Sequence, residues 1–428
     1  MKVGEIVSKC TQRAKDIYNG TKLQVYGVSN LDGITITGNI ASSDKDDYIY
    51  VEDDYFAYNP YRINVGSIGL APKGTRGLVS PAYIVFKVDQ SKYRSELLLR
   101  YLKSFAGLQA IKKHARGTVR QALRYEDLCD IDIPNLNENE LQSLLGKIQN
   151  TEKEFDLLNS EIFYQQSLLN KLRQVILQDA IHGKLVPQDP NDEPANELLK
   201  RIITEKENLI AEGKIRKEKP LPPIKEEEIS LEMPKGWVWC RLGEVSELCL
   251  GKMLDQIKNK GKELPYLRNI NVRWSDFDLS DLKTMRFLET EEKRFSMVKG
   301  DLVVCEGGYP GRSAIWNGEE PIRFQKALHR VRVNQNILFN EYLFYCIKTD
   351  ADSGRLKYYF TGAGIQHLTG KELKKYVIPL PPLIEQKRIV EKIKSLFRVC
   401  DQLEKQIEEN AKHSELLLQS VLKEAFEG

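Results

Sequence analysis

The chain carries one stretch of its sequence twice. Setting Gly117 against Gly362 gives an offset of 362 − 117 = 245, and at that offset Gln121 meets Gln366, Leu123 meets Leu368 and Ile133-Pro134 meets Ile378-Pro379 without a gap. The register continues through Glu140 and Glu385, Lys147 and Lys392, and Leu172 and Leu417, to Gly183 and Gly428. Upstream it pairs Ala82 with Ala327, Glu96 with Glu341 and Lys103 with Lys348. A self-match of roughly a hundred residues constrains the fold strongly, because each copy must be a unit that folds the same way. Before Ala82 the register is lost, although Val3-Gly4-Glu5-Ile6 and Leu242-Gly243-Glu244-Val245 are candidate equivalent starts. The front halves are therefore expected to have diverged in length and content.

Both copies share one plan. Short apolar runs such as Ala82–Val88 and Asp301–Cys305, broken by glycine and proline, predict strands and loops. Short helices are predicted at Ser95–Ser104 and Asn340–Lys348. An Ile-Pro boundary then precedes a long helix. In the first long helix, heptad a positions fall on Leu141, Ile148, Phe155, Ile162, Leu169 and Ile176, and d positions include Leu144, Leu158 and Leu172. In the second, Ile393, Cys400, Ile407 and Val421 fall at a, and Ile389, Leu396, Leu403 and Leu417 at d. Asn410 and Ser414 interrupt that seam, as buried polar residues that fix register do. Some 45 residues of helix span about 68 Å, longer than either flanking domain is wide. The matching seams predict that the two helices pair, antiparallel, with a domain at each end of a rod.

The expected class is α+β, a pseudo-twofold internal repeat of two β-rich domains and two long helices. The predicted order is a first domain at 1–136, a long helix at 137–183, a linker at 184–235, a second domain at 236–381 and a second long helix at 382–428. The linker contains Pro187, Pro190, Pro194 and Pro220-Leu221-Pro222-Pro223, with a short helix over Ala195–Ala211. The rest of it reads as a semi-rigid spacer.

Chemistry-bearing motifs are missing. Seven scattered cysteines without a CxxC pair argue against a zinc site or disulfide framework and fit a reducing cytosol. No apolar run reaches the ~18 residues of a membrane span, so no membrane association is expected. There is no GxxxxGK[ST] and no HExxH. Asn59-Pro60-Tyr61 lacks the second proline of the adenine methyltransferase motif and reads as a turn. Gly307-Gly308-Tyr309-Pro310-Gly311 leads into a strand-like stretch, whereas a phosphate cradle needs a helix behind it.

Several segments resemble type I restriction-modification specificity subunits, over nearly the whole chain. The strongest is Asn170–Gln188, reading Asn-Lys-Leu-Arg-Gln-Val-Ile-Leu-Gln-Asp-Ala-Ile-His-Gly-Lys-Leu-Val-Pro-Gln. Pro234-Lys235-Gly236-Trp237 with Leu242-Gly243-Glu244 resembles the opening of a second target recognition domain. Tyr376-Val377-Ile378-Pro379-Leu380-Pro381-Pro382 resembles the start of the family's second helix, and Arg62–Gly69 also looks familial. The resemblance implies two target recognition domains, each reading half of a split DNA sequence, with the helices setting their spacing. It implies no catalysis and no cofactor on this chain. Two adenine methyltransferase subunits, with S-adenosylmethionine, and up to two ATP- and Mg2+-dependent restriction subunits would be its partners, in the cytoplasm. One departure is that Asn135-Leu136-Asn137 replaces the Pro-Leu-Pro-Pro of 379–382, which predicts a looser start to the first long helix.

Net charge is only +3, so DNA contact requires local clusters of basic residues. Between Leu97 and Tyr125 there are seven basic residues (100, 103, 112, 113, 116, 120 and 124) and no acid. The second copy offers Arg355, Lys357 and Lys371 among Tyr358, Tyr359 and Phe360. The candidates for DNA contact are Lys73, Arg76, Lys112, Lys113, Arg116, Arg120, Arg312, Arg355 and Lys357, with phosphate the first target of such side chains. Three other readings stand beside this one: a coiled-coil scaffold that reads no DNA, a nuclease or methyltransferase acting alone, for which no metal or methyl-donor site is found, and a degenerate specificity subunit.

Overall fold

The computed structural model describes the chain apart from residues 18–22, 31, 41–45, 118–120, 213–218, 230–232, 256 and 428. The chain divides into two compact units, Met1–Gln165 with Gln406–Gly428, and Gln166–Lys405.

In the first unit a 3-10 turn at Val3–Glu5 leads into β1 (Val7–Cys10) and a one-turn α1 (Ala14–Ile17). Strands β2 (Gln24–Val28), β3 (Ile34–Ile40), β4 (Ile49–Glu52), β5 (Tyr55–Tyr58), β6 (Ile68–Leu70), β7 (Arg76–Val79) and β8 (Ile84–Val88) follow. They form two four-stranded sheets, ordered β1-β8-β5-β6 and β3-β2-β7-β4. The first sheet is antiparallel throughout, and in the second β2 runs parallel to β7. Helices α2 (Ser95–Lys103), α3 (Phe105–His114) and α4 (Tyr125–Cys129) follow. Phe56 stacks on Phe86 with ring centroids 4.7 Å apart, inside a core shared with Leu97, Leu98 and Leu102. Leu141, Leu144 and Ile148, from the first turns of α5 (Glu138–Ile181), join the same core. Each such side chain contributes about 1.5–3 kcal/mol by leaving water.

The start of α5 is firmer than its lack of prolines predicted. Asn137 and Glu140 form a reciprocal cap: Asn137 N donates to Glu140 Oε2 at 2.8 Å, and Glu140 N to Asn137 Oδ1 at 3.0 Å. A capping box satisfies amides that the first turn of a helix leaves open, which corrects the expectation of a loose start.

The second unit repeats the plan. After α6 (Ala195–Ala211) come β9 (Val238–Arg241), α7 (Leu242–Val245), β10 (Ser246–Leu250), β11 (Lys262–Leu267) and β12 (Lys283–Phe287). Then follow α8 (Glu292–Phe295), β13 (Ser296–Met297), β14 (Leu302–Cys305), β15 (Ser313–Ile315), β16 (Ile322–Phe324) and β17 (Leu328–Val333). The unit closes through α9 (Asn340–Ser353), α10 (Gly370–Lys375), β18 (Val377–Leu380) and the start of α11 (Leu383–Glu427). Its sheets are ordered β10-β17-β14-β15 and β12-β11-β16-β13, with β11 and β16 parallel. Strand for strand this is the topology of the first unit. The front halves, which lose all sequence register before Ala82, therefore share one fold. Their starts also correspond, since Lys2 bridges Asp132 as Arg241 bridges Val377, a residue 245 positions beyond Asp132.

The long helices run as expected, but their seam differs. In the second unit α5 and α11 are antiparallel: Gln166 meets Glu404 at 3.4 Å, and Arg173, two turns later, lies over Phe397, two turns earlier. Arg173 also pairs with Asp401 at 2.7 Å and Glu404 at 3.0 Å. Leu141, Leu144, Ile148, Leu169, Ile176, Ile389, Ile393 and Cys400 are buried, and Phe155, Ile162, Leu396, Ile407 and Val421 half-buried. Leu158, Leu172, Leu403 and Leu417, placed at d, are instead exposed. The places of Leu172, Leu403 and Leu417 in the half-buried stripe are taken by Arg173, Glu404 and Leu418, each one residue later. The cause is geometric. Seven residues of α-helix turn 20° short of two full turns, so the inward row drifts from a+3 to a+4 along a long helix. Ser414 is buried as the sequence predicted, but Asn410 is exposed.

Described parts of the linker, read as a semi-rigid spacer, are docked on the second unit. Asp192 pairs with Arg388, Ala195 N donates to Gly236 O at 2.9 Å, and Gln188 Nε2 donates to Glu385 Oε1 at 3.3 Å. Further on, the buried guanidinium of Arg241 donates to Pro222 O at 2.6 Å, to Pro223 O at 2.9 Å and to both oxygens of Glu228 at 2.9–3.0 Å. Hydrogen bonds from a charged guanidinium are stronger than neutral ones, which suits such a clamp.

Candidate nucleic-acid interface

Each unit presents one composite surface built from two loops. The first loop lies inside the repeat. In the first unit Arg116 N donates to Ala122 O at 3.0 Å and Ala122 N to Arg116 O at 2.9 Å. In the second, Thr361 and His367 exchange the same two bonds, each 2.8 Å. These pairs are 245 residues apart. Gly117 (φ +127°) and Gly362 (φ +103°) hold the turn in a backbone region that side chains avoid. A Cβ on Gly362 would stand 2.3 Å from Ile365 O.

The second loop joins two strands, β5 to β6 or β14 to β15. The repeat loop is seated on it by one amide in each copy: Leu123 N donates to Pro60 O at 3.0 Å, and Leu368 N to Glu306 O at 2.7 Å. These second loops differ in sequence, yet each exposes a tyrosine, Tyr61 at 57% and Tyr309 at 62%. Arg312 lies 4.0 Å from the centroid of the Tyr309 ring, and Asn269 Nδ2 donates to Gly307 O at 3.1 Å. Burial raises the pKa of Glu306 in this loop, with His367 and Lys326 opposing the rise.

The basic residues fall into two groups. Lys73, Lys112, Lys113 and Lys357 are exposed. Lys73 stands in the turn before β7, and Lys112 and Lys113 in the last turn of α3. Arg76 is exposed and donates to Tyr50 OH at 3.3 Å. Arg116 is exposed but paired with the buried Asp127 at 2.7 Å. Arg120 lies outside the described residues.

Two candidates are tied into the fold. Arg355 is half-buried and serves the fold: it pairs with Asp350 at 2.7 Å and donates to Val377 O at 2.8 Å. Asp350 also accepts the Tyr376 hydroxyl at 2.5 Å, which completes a closed cluster. Arg312 is half-buried and donates to Asn269 O at 2.8 Å, so it positions the Tyr309 loop. The acid-free stretch 353–371 hid this, because the partners of Arg355 stand outside that stretch. Tyr61, Tyr309, Gln121 and Gln366 also stand exposed on these loops, and the sequence candidates did not include them. The last two were visible as a matched pair, but neutral side chains do not register in a search for charge.

Among the described residues no group of three or more His, Cys, Asp or Glu side chains is placed to hold a metal, and no helix is long and apolar enough to cross a membrane.

The family model for the type I restriction modification DNA specificity domain matches residues 234–413. The EcoAI specificity subunit of Escherichia coli is 34% identical over 280 residues, which is 62% of this chain and 46% of that protein. The EcoEI specificity subunit of the same species is 30% identical over 278 residues, with the same coverage. The chain thus spans about half the length of these relatives. Among solved structures, a chain from work on complex assembly and conformational transition of the type I R-M system aligns with a TM-score of 0.61 at 17% identity, covering 100% of this chain and 96% of that one. The HsdS subunit from Thermoanaerobacter tengcongensis aligns with a TM-score of 0.55 at 17% identity, with the same coverage.

Proposed function

We propose, from the match of residues 234–413 to the type I restriction modification DNA specificity domain and the likeness to the EcoAI and EcoEI specificity subunits, that the chain is the DNA-reading, non-catalytic subunit of such a system. It reads a target in two halves, one half per recognition domain. The observation that carries this reading is the repetition of one strand topology in both units, with the same loop seated by the same amide on a second loop of different sequence. A shared frame with divergent loops is what two unequal half-sites on double-stranded DNA require.

Methyltransferase subunits, two per chain, dock on the long helices and supply the S-adenosylmethionine chemistry. Restriction subunits, where present, add ATP and Mg2+. The helices leave apolar side chains to be covered: Phe163 is 78% exposed and Leu416 61% in the first unit, and Val399 is 51% exposed in the second. Apolar side chains collected on helices in this way suit a helical partner. The experiment is to express the chain with a methyltransferase partner and map methylated adenines in the host DNA. A split motif with a fixed spacer is expected. Methylation without a split motif, or methylation by the chain alone, would overturn the reading.

A further inference from the structure

Resting on that reading, we propose that Gln121 and Gln366 are matched DNA-contact residues that hold the sugar-phosphate backbone, a feature common to both half-sites, while the neighbouring loops read sequence. The two residues stand at the same place in the bridged loops 116–122 and 361–367, and both are exposed. The bridges at Arg116/Ala122 and Thr361/His367, the positive-φ glycines and the seating amides of Leu123 and Leu368 all recur at offset 245. So precise a repetition fixes where the glutamine stands relative to the second loop in each unit.

The surroundings of that fixed point are not repeated. Position 367 is histidine where its counterpart 122 is alanine, and Tyr58–Ser67 and Glu306–Arg312 share no register. Two half-sites of an unequal target differ in their bases but not in their phosphates. A contact kept in both units therefore belongs to the phosphates, and the contacts that vary belong to the bases. The chemistry fits. A glutamine amide donates two hydrogens to anionic oxygens without carrying charge. In the second unit the amides of residues 362–366 make no backbone hydrogen bond among the described residues, and Gly362, Ala363 and Gly364 are exposed. Amides left open in this way can donate to a phosphate oxygen. The rigid seat supplies the preorganisation that a neutral contact needs to be worth its ordering cost.

The test uses the full chain and a random-sequence 60-base-pair duplex library, with selection and sequencing, for wild type and for Gln121→Ala, Gln366→Ala and Gln366→Glu. Affinity for the wild-type consensus duplex is then measured for each. Tryptophan fluorescence melts show whether the variants at 366 remain folded, since Trp237, Trp239, Trp274 and Trp316 all lie in the second unit. The expected result is an unchanged consensus in both halves with a roughly fivefold to tenfold loss of affinity for each alanine variant. Gln366→Glu should lose more than Gln366→Ala, because a carboxylate repels phosphate. A consensus altered in one half means that the glutamine reads a base and overturns the assignment. Affinity unchanged in every variant overturns it too, and places the loops against a protein partner. A wild type that enriches no sequence defeats the DNA-reading proposal itself, and this assignment with it.

Discussion

The imidazole of His329 lies buried against Leu368, with Nε2 3.0 Å from the Leu368 carbonyl oxygen. Leu368 in turn donates its amide to Glu306 at 2.7 Å. A histidine of β17 thus supports the residue that seats the repeat loop of the second unit.

Burial lowers the pKa of His329 to about 4, against the hydrogen bond to Leu368. The unfolded chain takes up a proton near the ordinary value of 6.5, and the folded one does so only near 4. The stability of the second unit should therefore be fully present above pH 6.5 and fall as pH drops through the window from 6.5 to about 4. The loss is on the order of 3 kcal/mol. Urea titrations followed by tryptophan fluorescence should show it, and His329→Gln should flatten the dependence in that window.

Arg241 closes the linker onto the second unit through Glu228 and two proline carbonyls. Arg241→Ala leaves Glu228 and those carbonyls without their donor. The expected destabilisation is about 3 kcal/mol, with Arg241→Lys intermediate because an ammonium cannot span the fork. Limited proteolysis should then cut between 219 and 229. A wild-type cleavage rate in that segment would show that the clamp does not hold it.

Exposed and fold-bound basic residues should separate by experiment. Lys112→Ala with Lys113→Ala should weaken DNA binding evenly across sequences and lower the salt slope by about 2. Arg355→Ala should instead lower the melting temperature of the second unit, because Asp350 loses its partner in a closed cluster. An unchanged slope for the double variant would remove both lysines from the interface.

The long helices are expected to set the distance between half-sites. Removing one heptad from each, at matched positions, shortens the helix by about 10 Å, or roughly three base pairs. The methylated target should show a correspondingly shorter spacer. A spacer that keeps its length would exclude the helices as the ruler.

Much of this was legible in the sequence. The offset of 245 located the rear half of each unit, and the predicted helix at Ala195–Ala211 has those bounds in the structure. Helix periodicity and punctuation are local signals, written in residues a few positions apart, so they survive in a single chain. What tertiary structure decided depends on residues distant in sequence. Arg355 became a fold residue because Asp350, Val377 and Glu228 surround it. Leu172 and Leu403 turned outward because a straight helix slips 20° per heptad against a strict repeat. The common topology of the front halves was invisible because strand pairing asks only for an apolar face at alternate positions, which very different residues supply. That the chain is built from two copies of one unit is written in its residues. Only the folded chain showed that the copies remain alike where their sequences do not, and that one seated loop, carrying a glutamine in each, is common to both.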